Sequence, residues 1–129
     1  MCIRDSPRAL RLRVADALWL RLVDVPAALG RRRYATEGRL TFELRDSFCP
    51  WNDGRFELEG GPDGATCRPT RKAPQMLADA ADLAAAYLGG TRLRTLRRAS
   101  RVEELEPGAL ARADAMFTWD PPPWCSQVF

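Results

Sequence analysis

The feature that most constrains the fold is an alternation of apolar and polar residues between positions 38 and 70. Such a period of two is typical of strands with one buried face and one wet face. Turn-forming sequences interrupt the alternation, Asn-Asp-Gly at 52–54 and Gly-Gly-Pro-Asp-Gly at 60–64. The region is therefore predicted to be an antiparallel meander of three strands. The inward positions on its first two strands are Leu40, Phe42, Leu44, Phe56 and Leu58.

An extended pattern and a helical pattern come before this meander. Residues 17–25 alternate leucines with other residues and are predicted to form a further strand. Residues 26–34 are predicted to form a short helix, because Asp24 is a good N-cap and Pro26 suits a first helical position. Arginines near the end of this helix agree with the prediction, since cations complement the negative end of a helix dipole.

Mostly helical patterns follow the meander. Residues 75–78 are predicted to be one more short strand, and a helix begins after Asp79 and ends at Gly89 and Gly90. Further helical spacing occurs over residues 92–98 and from Pro107 onward. The order of elements predicts an α+β fold, in which an antiparallel sheet is covered on one face by helices.

Composition excludes several classes of protein and of chemistry. The 129 residues are 46% apolar, which suits one globular domain, and no long apolar run follows a basic start as in a signal peptide. The four cysteines lack a C-x-x-C spacing, so we expect reduced thiols and a cytoplasmic location. The sequence has no histidine, which removes the commonest general base and makes a metal site unexpected.

The charge pattern does not favour a nucleic-acid partner. The net charge is only +3, and all but one of the 20 basic residues are arginine, the exception being Lys72. Five arginines form a possible basic stripe, but a nucleic-acid surface would need more net charge and interleaved aromatic residues. We interpret the stripe as a solvated helix face or a subunit contact, and expect neither nucleic acid nor membrane as a partner. The five are Arg92, Arg94, Arg97, Arg98 and Arg101.

The front of the sequence divides into short segments. Residues 1–6, Met-Cys-Ile-Arg-Asp-Ser, resemble a translated adapter, and we exclude them from the fold. Residues 7–16 are interpreted as a linker or as the end of a preceding domain. Residues 17–129 are then one domain, and the sequence is expected to be the last part of a longer polypeptide.

The last residues, 119–129, form an unusually stiff and apolar chain end. Three consecutive prolines favour an extended polyproline II path, and two tryptophans and a terminal phenylalanine flank them. Chain ends are more often polar and frayed. We therefore predict that this tail lies in a groove contributed by a part of the protein outside this sequence. Simple docking of the tail onto a neighbour is the alternative.

Four motifs together resemble one known family. They are Leu-Trp-Leu-Arg-Leu-Val-Asp-Val-Pro-Ala-Ala-Leu at 18–29, Asp-Ser-Phe-Cys-Pro-Trp-Asn-Asp-Gly at 46–54, Tyr-Leu-Gly-Gly at 87–90 and Gly-Ala-Leu-Ala-Arg-Ala-Asp-Ala-Met-Phe at 108–117. In this order they resemble the C-terminal domain of the enhanced intracellular survival family of GNAT-type N-acetyltransferases. The resemblance extends over about residues 8–129.

The resemblance implies a fold, an activity and partners. The family's last domain is sterol-carrier-protein-like and follows two acetyltransferase-like domains of the same polypeptide. The full-length enzyme is implied to form a homo-hexamer. These enzymes acetylate amines of aminoglycosides or lysines with acetyl-CoA. The missing N-terminal domain binds the acetyl-CoA, so we expect no cofactor-binding residue here and no activity from this chain alone.

The resemblance also assigns one catalytic group, the α-carboxylate of Phe129, as the general base in the missing domain's active site. The family's general acid is a tyrosine of that missing domain, so neither Tyr34 nor Tyr87 inherits that role. An α-carboxylate has an ordinary pKa of about 3.3–3.7, and burial beside apolar groups raises it toward the working pH.

A second function remains open from the sequence. A sterol-carrier-like fold can enclose an apolar tunnel between sheet and helices, and a free-standing module of this kind binds lipids or acyl groups without chemistry. A large cavity lined by leucines and tryptophans would favour that alternative, whereas a filled core would count against it.

Overall fold

The computed structural model of the chain describes Ala15 and residues 18–126. Predicted features at residues 1–14 and the proposed catalytic Phe129 lie outside these described residues. The described part contains five strands and four helices. In chain order they are α1 (Val25–Arg31), β1 (Gly38–Arg45), β2 (Gly54–Gly61), β3 (Gly64–Pro69), β4 (Met76–Asp79), α2 (Ala80–Tyr87), α3 (Leu93–Arg98), β5 (Val102–Glu104) and α4 (Ala109–Phe117).

The predicted three-strand meander is confirmed, but the sheet as a whole is mixed. The strand order is β3-β2-β1-β4-β5, and β1 and β4 run parallel while the other neighbours are antiparallel. The entirely antiparallel sheet expected from the sequence is therefore wrong at this one pair.

The parallel pair arises because β3 is short. Its last residue, Pro69, lies level with Phe56 and Phe42, and Met76 enters β4 at this same level on the far side of β1. Residues 70–75 cross the sheet between these two points. The crossing is held by the Gln75 N–H, which donates to the Thr41 carbonyl over 2.8 Å, and by an ion pair between Lys72 and Glu57.

Helices cover one face of the sheet, as predicted. The inward side chains of the strands form a single core with residues from all four helices, and α1 packs on β3 while α4 packs on β1. The opposite face carries cross-strand ion pairs such as Arg39–Glu59 at 2.9 Å and Arg55–Glu43 at 2.7 Å. The α+β class is confirmed, and one face is dry while the other is charged.

One local prediction is wrong, and one short strand was missed. No strand forms over the described part of residues 17–25, because the carbonyls of Leu22 and Val23 accept hydrogen bonds from side chains of a loop and not from a neighbouring strand. Strand β5 was not predicted, since it is three residues long and only Val102 is buried. The Asp24 cap is confirmed: its Oδ1 accepts from the Ala27 N–H over 2.9 Å.

None of the helices in the described part of the chain is both long and apolar enough to cross a bilayer.

Candidate functional site

The C-terminal tail leaves the domain over two glycines at the end of α2. Gly89 has a φ of +85°, and a Cβ there would stand 2.5 Å from the Phe117 carbonyl oxygen. A Cβ on Gly90 would stand 2.8 Å from Cγ of Pro123. Only glycine allows the tail to approach this closely. Gly89 and Gly90, which were predicted only to end a helix, therefore also form the surface on which the tail packs. We refer to this surface as the tail seat.

Arg32 joins the ends of α2 and α4 next to this seat. Its guanidinium donates to the carbonyl of Tyr87 and, over 3.0 Å, to the carbonyl of Phe117. These are the last residues of the two helices, where unpaired carbonyls and the helix dipole favour a cation. Arg32 thus fixes the point from which the tail departs.

Three aromatic rings surround the Arg32 guanidinium. Its central carbon lies 4.6 Å from the ring centroid of Tyr34, 5.5 Å from that of Tyr87 and 4.8 Å from that of Phe117. Cation–π attraction adds to the two hydrogen bonds in this half-buried setting. Burial among the rings lowers the pKa of Arg32 from its ordinary value.

Both tyrosines have structural roles here. The Tyr34 hydroxyl donates to the Leu29 carbonyl over 2.9 Å, and the Tyr87 hydroxyl donates to the Ala28 carbonyl over 3.0 Å. Tyr34 is fully buried, packs edge-on against Phe117 at 5.2 Å, and burial raises its pKa. Both hydroxyls are therefore engaged in holding α1.

Sequence reasoning missed Arg32. It assigned the arginines at 31–33 collectively to the end of their own helix, α1. Nothing in the sequence separates the three, since the carbonyls that Arg32 binds belong to residues 55 and 85 positions away.

A second polar centre lies at the other end of α1, in the loop 46–53. The buried Asp46 carboxylate accepts from the N–H groups of Phe48 at 3.0 Å and Cys49 at 2.9 Å, from the Asn52 amide at 3.0 Å, and from Arg21. Desolvation raises the pKa of Asp46, but these hydrogen bonds outweigh it and hold the pKa down to about 2. The carboxylate is therefore a stable hub of the loop.

Asn52 connects this hub to the start of α1. It is fully buried, accepts from the Val25 N–H over 3.0 Å, and donates to the carbonyls of Leu22 at 3.3 Å and Val23 at 3.1 Å. The loop thereby fixes the segment that leads into the domain.

The arginine stripe is largely part of the fold. Three of its members pair with acids on neighbouring elements: Arg94 with Asp114 at 3.0 Å, Arg97 with Glu104 at 2.7 Å and Arg101 with Asp82 at 2.6 Å. Asp114 and Asp82 are buried, so these pairs fasten α3 to its surroundings. These three arginine side chains are still about half exposed, so the solvated face expected from the sequence also forms ion pairs within the fold, and the subunit contact stays a prediction.

Two grooves within the described residues are open to solvent. One, of about 730 Å³, lies beside the β2–β3 turn, and the other, of about 550 Å³, lies where β1 and β4 end. Neither is lined by a leucine or a tryptophan. They give no support to a lipid-binding tunnel.

The sterol carrier protein domain model matches residues 25–126 of this chain. The chain belongs to this family. The sterol carrier fold predicted from the four motifs is therefore confirmed.

The relatives carry N-acetyltransferase names. An uncharacterized N-acetyltransferase of Streptomyces avermitilis is 47% identical over 95% of this chain and 30% of its own length. N-acetyltransferase Eis of Mycobacterium tuberculosis is 41% identical over 83% of this chain and 26% of its own length. The crystal structure of Eis1 from Mycobacterium abscessus superposes with a TM-score of 0.76 at 38% identity, over 86% of this chain and 28% of that one.

These relatives confirm the resemblance to Eis-type acetyltransferases. The chain spans less than a third of the length of each of the three.

Proposed function

We propose that this chain is the C-terminal domain of an Eis-type N-acetyltransferase that transfers an acetyl group from acetyl-CoA to amines of aminoglycosides or lysines. The observation that carries the proposal is the match to N-acetyltransferases at 41% and 47% identity, in which the matching segment is 26% and 30% of the relative's length. The domain supports assembly of the enzyme and supplies one catalytic group.

That group is the α-carboxylate of Phe129. An amine must lose a proton when its nitrogen attacks a thioester carbonyl, and the carboxylate accepts this proton. Burial of the chain end between apolar side chains of the tail and of the upstream domain raises the carboxyl pKa toward neutrality. We assign acetyl-CoA to the upstream domains, because neither groove of the described residues is a glycine-rich turn that opens a helix.

The tail seat supports a positioning role for the domain. Arg32, Gly89 and Gly90 hold the tail from Phe117 to Pro123. Residues 124–129 can then extend at most about 20 Å beyond Pro123. The carboxylate is thus delivered from a fixed point by a short segment, which restricts where the proton acceptor can lie.

The decisive experiment uses a chimera in which residues 8–129 replace the matching part of the Streptomyces avermitilis relative. Deletion of Phe129 moves the carboxylate by one residue and is expected to lower kcat by about 100-fold. The matched control, Phe129→Leu, keeps the carboxylate in place and should retain most of the rate. Equal turnover of the deletion variant and the parent would reject the general-base role.

A second measurement tests the division of labour between domains. Isothermal titration of this chain alone with acetyl-CoA is expected to give no heat of binding. A micromolar affinity would contradict the assignment of the cofactor to the upstream domains.

Assembly as a homo-hexamer and a cytoplasmic location are carried over from the family resemblance. Sedimentation velocity of the chimera checks the first of these, since a hexamer and smaller assemblies separate clearly.

A further inference from the structure

The loop 46–53 presents large apolar side chains to solvent. Phe48 is 76% exposed and Trp51 is 66% exposed, and Val23 on the adjoining segment is 61% exposed. Clustered exposed apolar residues on a soluble protein mark interaction surfaces, and tryptophan is among the residues most enriched at the centres of such surfaces.

These side chains belong to one surface. The Trp51 indole N–H donates to the Val23 carbonyl over 2.7 Å. The guanidinium carbon of Arg21 lies 4.8 Å from the ring centroid of Phe48. Arg21 in turn pairs with Asp46 beneath the loop. We refer to Val23, Phe48 and Trp51 as the aromatic patch.

The aromatic patch is held rigidly from below. One turn of 3₁₀ helix, Pro50–Asn52, directs Asn52 into the interior and Trp51 outward. Asp46 and Asn52 are buried, and within the described residues no buried side-chain nitrogen or oxygen lacks a hydrogen-bond partner. A fully satisfied buried network of this kind specifies one geometry, so the patch is a preformed surface.

We propose that the aromatic patch packs against an apolar face of the upstream part of the same polypeptide. This inference rests on the proposed function, in which the chain is the last domain of a longer enzyme. Val23 lies on the segment through which the polypeptide reaches α1, so the patch adjoins the path of the incoming chain. Covalent linkage holds an upstream domain at a millimolar effective concentration at this surface.

The test compares side-chain exposure in two polypeptides, this chain and the chimera described above. Hydroxyl-radical footprinting with mass spectrometry measures the oxidation rates of Phe48 and Trp51. Both rates are expected to fall by about fivefold or more in the chimera, because interface cores exclude water. Leu105 is the internal control, since it is 46% exposed and lies outside the patch. Equal rates in the two polypeptides overturn the proposal.

A variant gives an independent measurement. Phe48→Ser combined with Trp51→Ser should lower the melting temperature of this chain only slightly, because both side chains are largely exposed and the Val23 carbonyl keeps its hydrogen bond from Asn52. The same pair should lower the melting temperature of the chimera by several degrees, and Leu105→Ser should not. A drop of equal size in both polypeptides means that the residues only support the loop, and overturns the proposal.

Two further outcomes separate this inference from its rivals. Oxidation rates that fall as the concentration of this chain rises, together with dimers in sedimentation, would assign the patch to a second copy and overturn the proposal. A chimera that needs Phe129 for activity but leaves the patch exposed rejects this inference alone. A chimera that protects the patch but does not need Phe129 rejects the general-base role and leaves the inference supported.

Discussion

Helix α1 has a polar centre at each end, and the two are built differently. At its start, Asp46 and Asn52 bind backbone groups of their own loop and of the segment 22–25. At its end, Arg32 binds the last carbonyls of α2 and α4. The first centre fixes where the polypeptide enters the domain, and the second fixes where the tail leaves.

The two centres are expected to differ in how much stability is lost when one of their side chains is removed. The Asp46–Asn52 centre is buried, so loss of a side chain leaves backbone groups without partners and out of reach of water. Arg32 is only partly buried, and water can replace its hydrogen bonds in part. We therefore expect the first centre to govern stability and the second to govern the position of the tail.

The largest effect is expected at the start of α1. Asn52→Ala leaves the Val25 N–H and the Leu22 carbonyl without their side-chain partner, whereas the Val23 carbonyl keeps the Trp51 indole N–H. The variant should lower the free energy of unfolding by about 3 kcal/mol. Urea unfolding followed by circular dichroism measures the change. The exposed neighbour Ser47→Ala is the control, with an expected change of less than about 0.5 kcal/mol. Similar losses for the two variants would show that the centre does not carry stability.

A smaller loss is expected at the tail seat. Gly89→Ala forces a Cβ against the Phe117 carbonyl at a positive φ, which should cost about 2 kcal/mol. The matched control, Gly54→Ala, has a φ of +149° but no atom within 4 Å of its Cβ. A larger loss at Gly89 than at Gly54 separates the close approach of the tail from backbone strain, whereas equal losses would leave only strain.

A still smaller loss of stability is expected when Arg32 is replaced. Arg32→Met removes the two hydrogen bonds and the cation–π contacts and should cost about 1–2 kcal/mol, measured by urea unfolding. Arg31→Met and Arg33→Met are matched controls on the same short segment, and both residues are exposed.

The tail gives Arg32 a second readout. Amide hydrogen exchange of Thr118, whose N–H donates to the Asp114 carbonyl over 2.9 Å, should accelerate in Arg32→Met and remain unchanged in the two control variants. If all three variants behave alike, the comparison between the two ends of α1 fails.

A change in acid sensitivity is expected at the start of α1. The pKa of Asp46 is held near 2, below the ordinary value of about 3.9 for aspartate. Stabilisation by a carboxylate with a depressed pKa is complete above the unfolded pKa and is lost as the pH falls through the folded one. The unfolding free energy should therefore decline more steeply between pH 4 and pH 2 in the natural sequence than in Asp46→Asn. Parallel pH profiles would contradict the role of the Asp46 charge.

Much of the fold was predictable because its signals are short-range. The period-two alternation at 38–70 gave β1, β2 and β3, since burial of one sheet face needs only neighbouring positions. The Asp24 cap likewise acts over three residues. The strand predicted at 17–25 failed because alternation alone does not supply a pairing partner, and β5 is too short to show a period.

The candidate site, too, could be predicted only where its signals are short-range. The four motifs identified the family, and one of them is Asp46 to Gly54. That this motif holds the loop to the start of α1 appears only in the folded chain, where Asn52 bonds to residues 22–25. The catalytic role of Phe129 remains a prediction from the resemblance, since the residue lies outside the described part of the chain.

The sequence by itself determined the α+β class, the side of each strand that is buried, and the family. Only the tertiary structure decided that Arg32, among three adjacent arginines, holds the tail, and that β4 lies parallel to β1. The physical reason is separation along the chain. Periodicity and capping act within a few residues, whereas Arg32 binds carbonyls 55 and 85 residues away that the folded sheet and helices bring together.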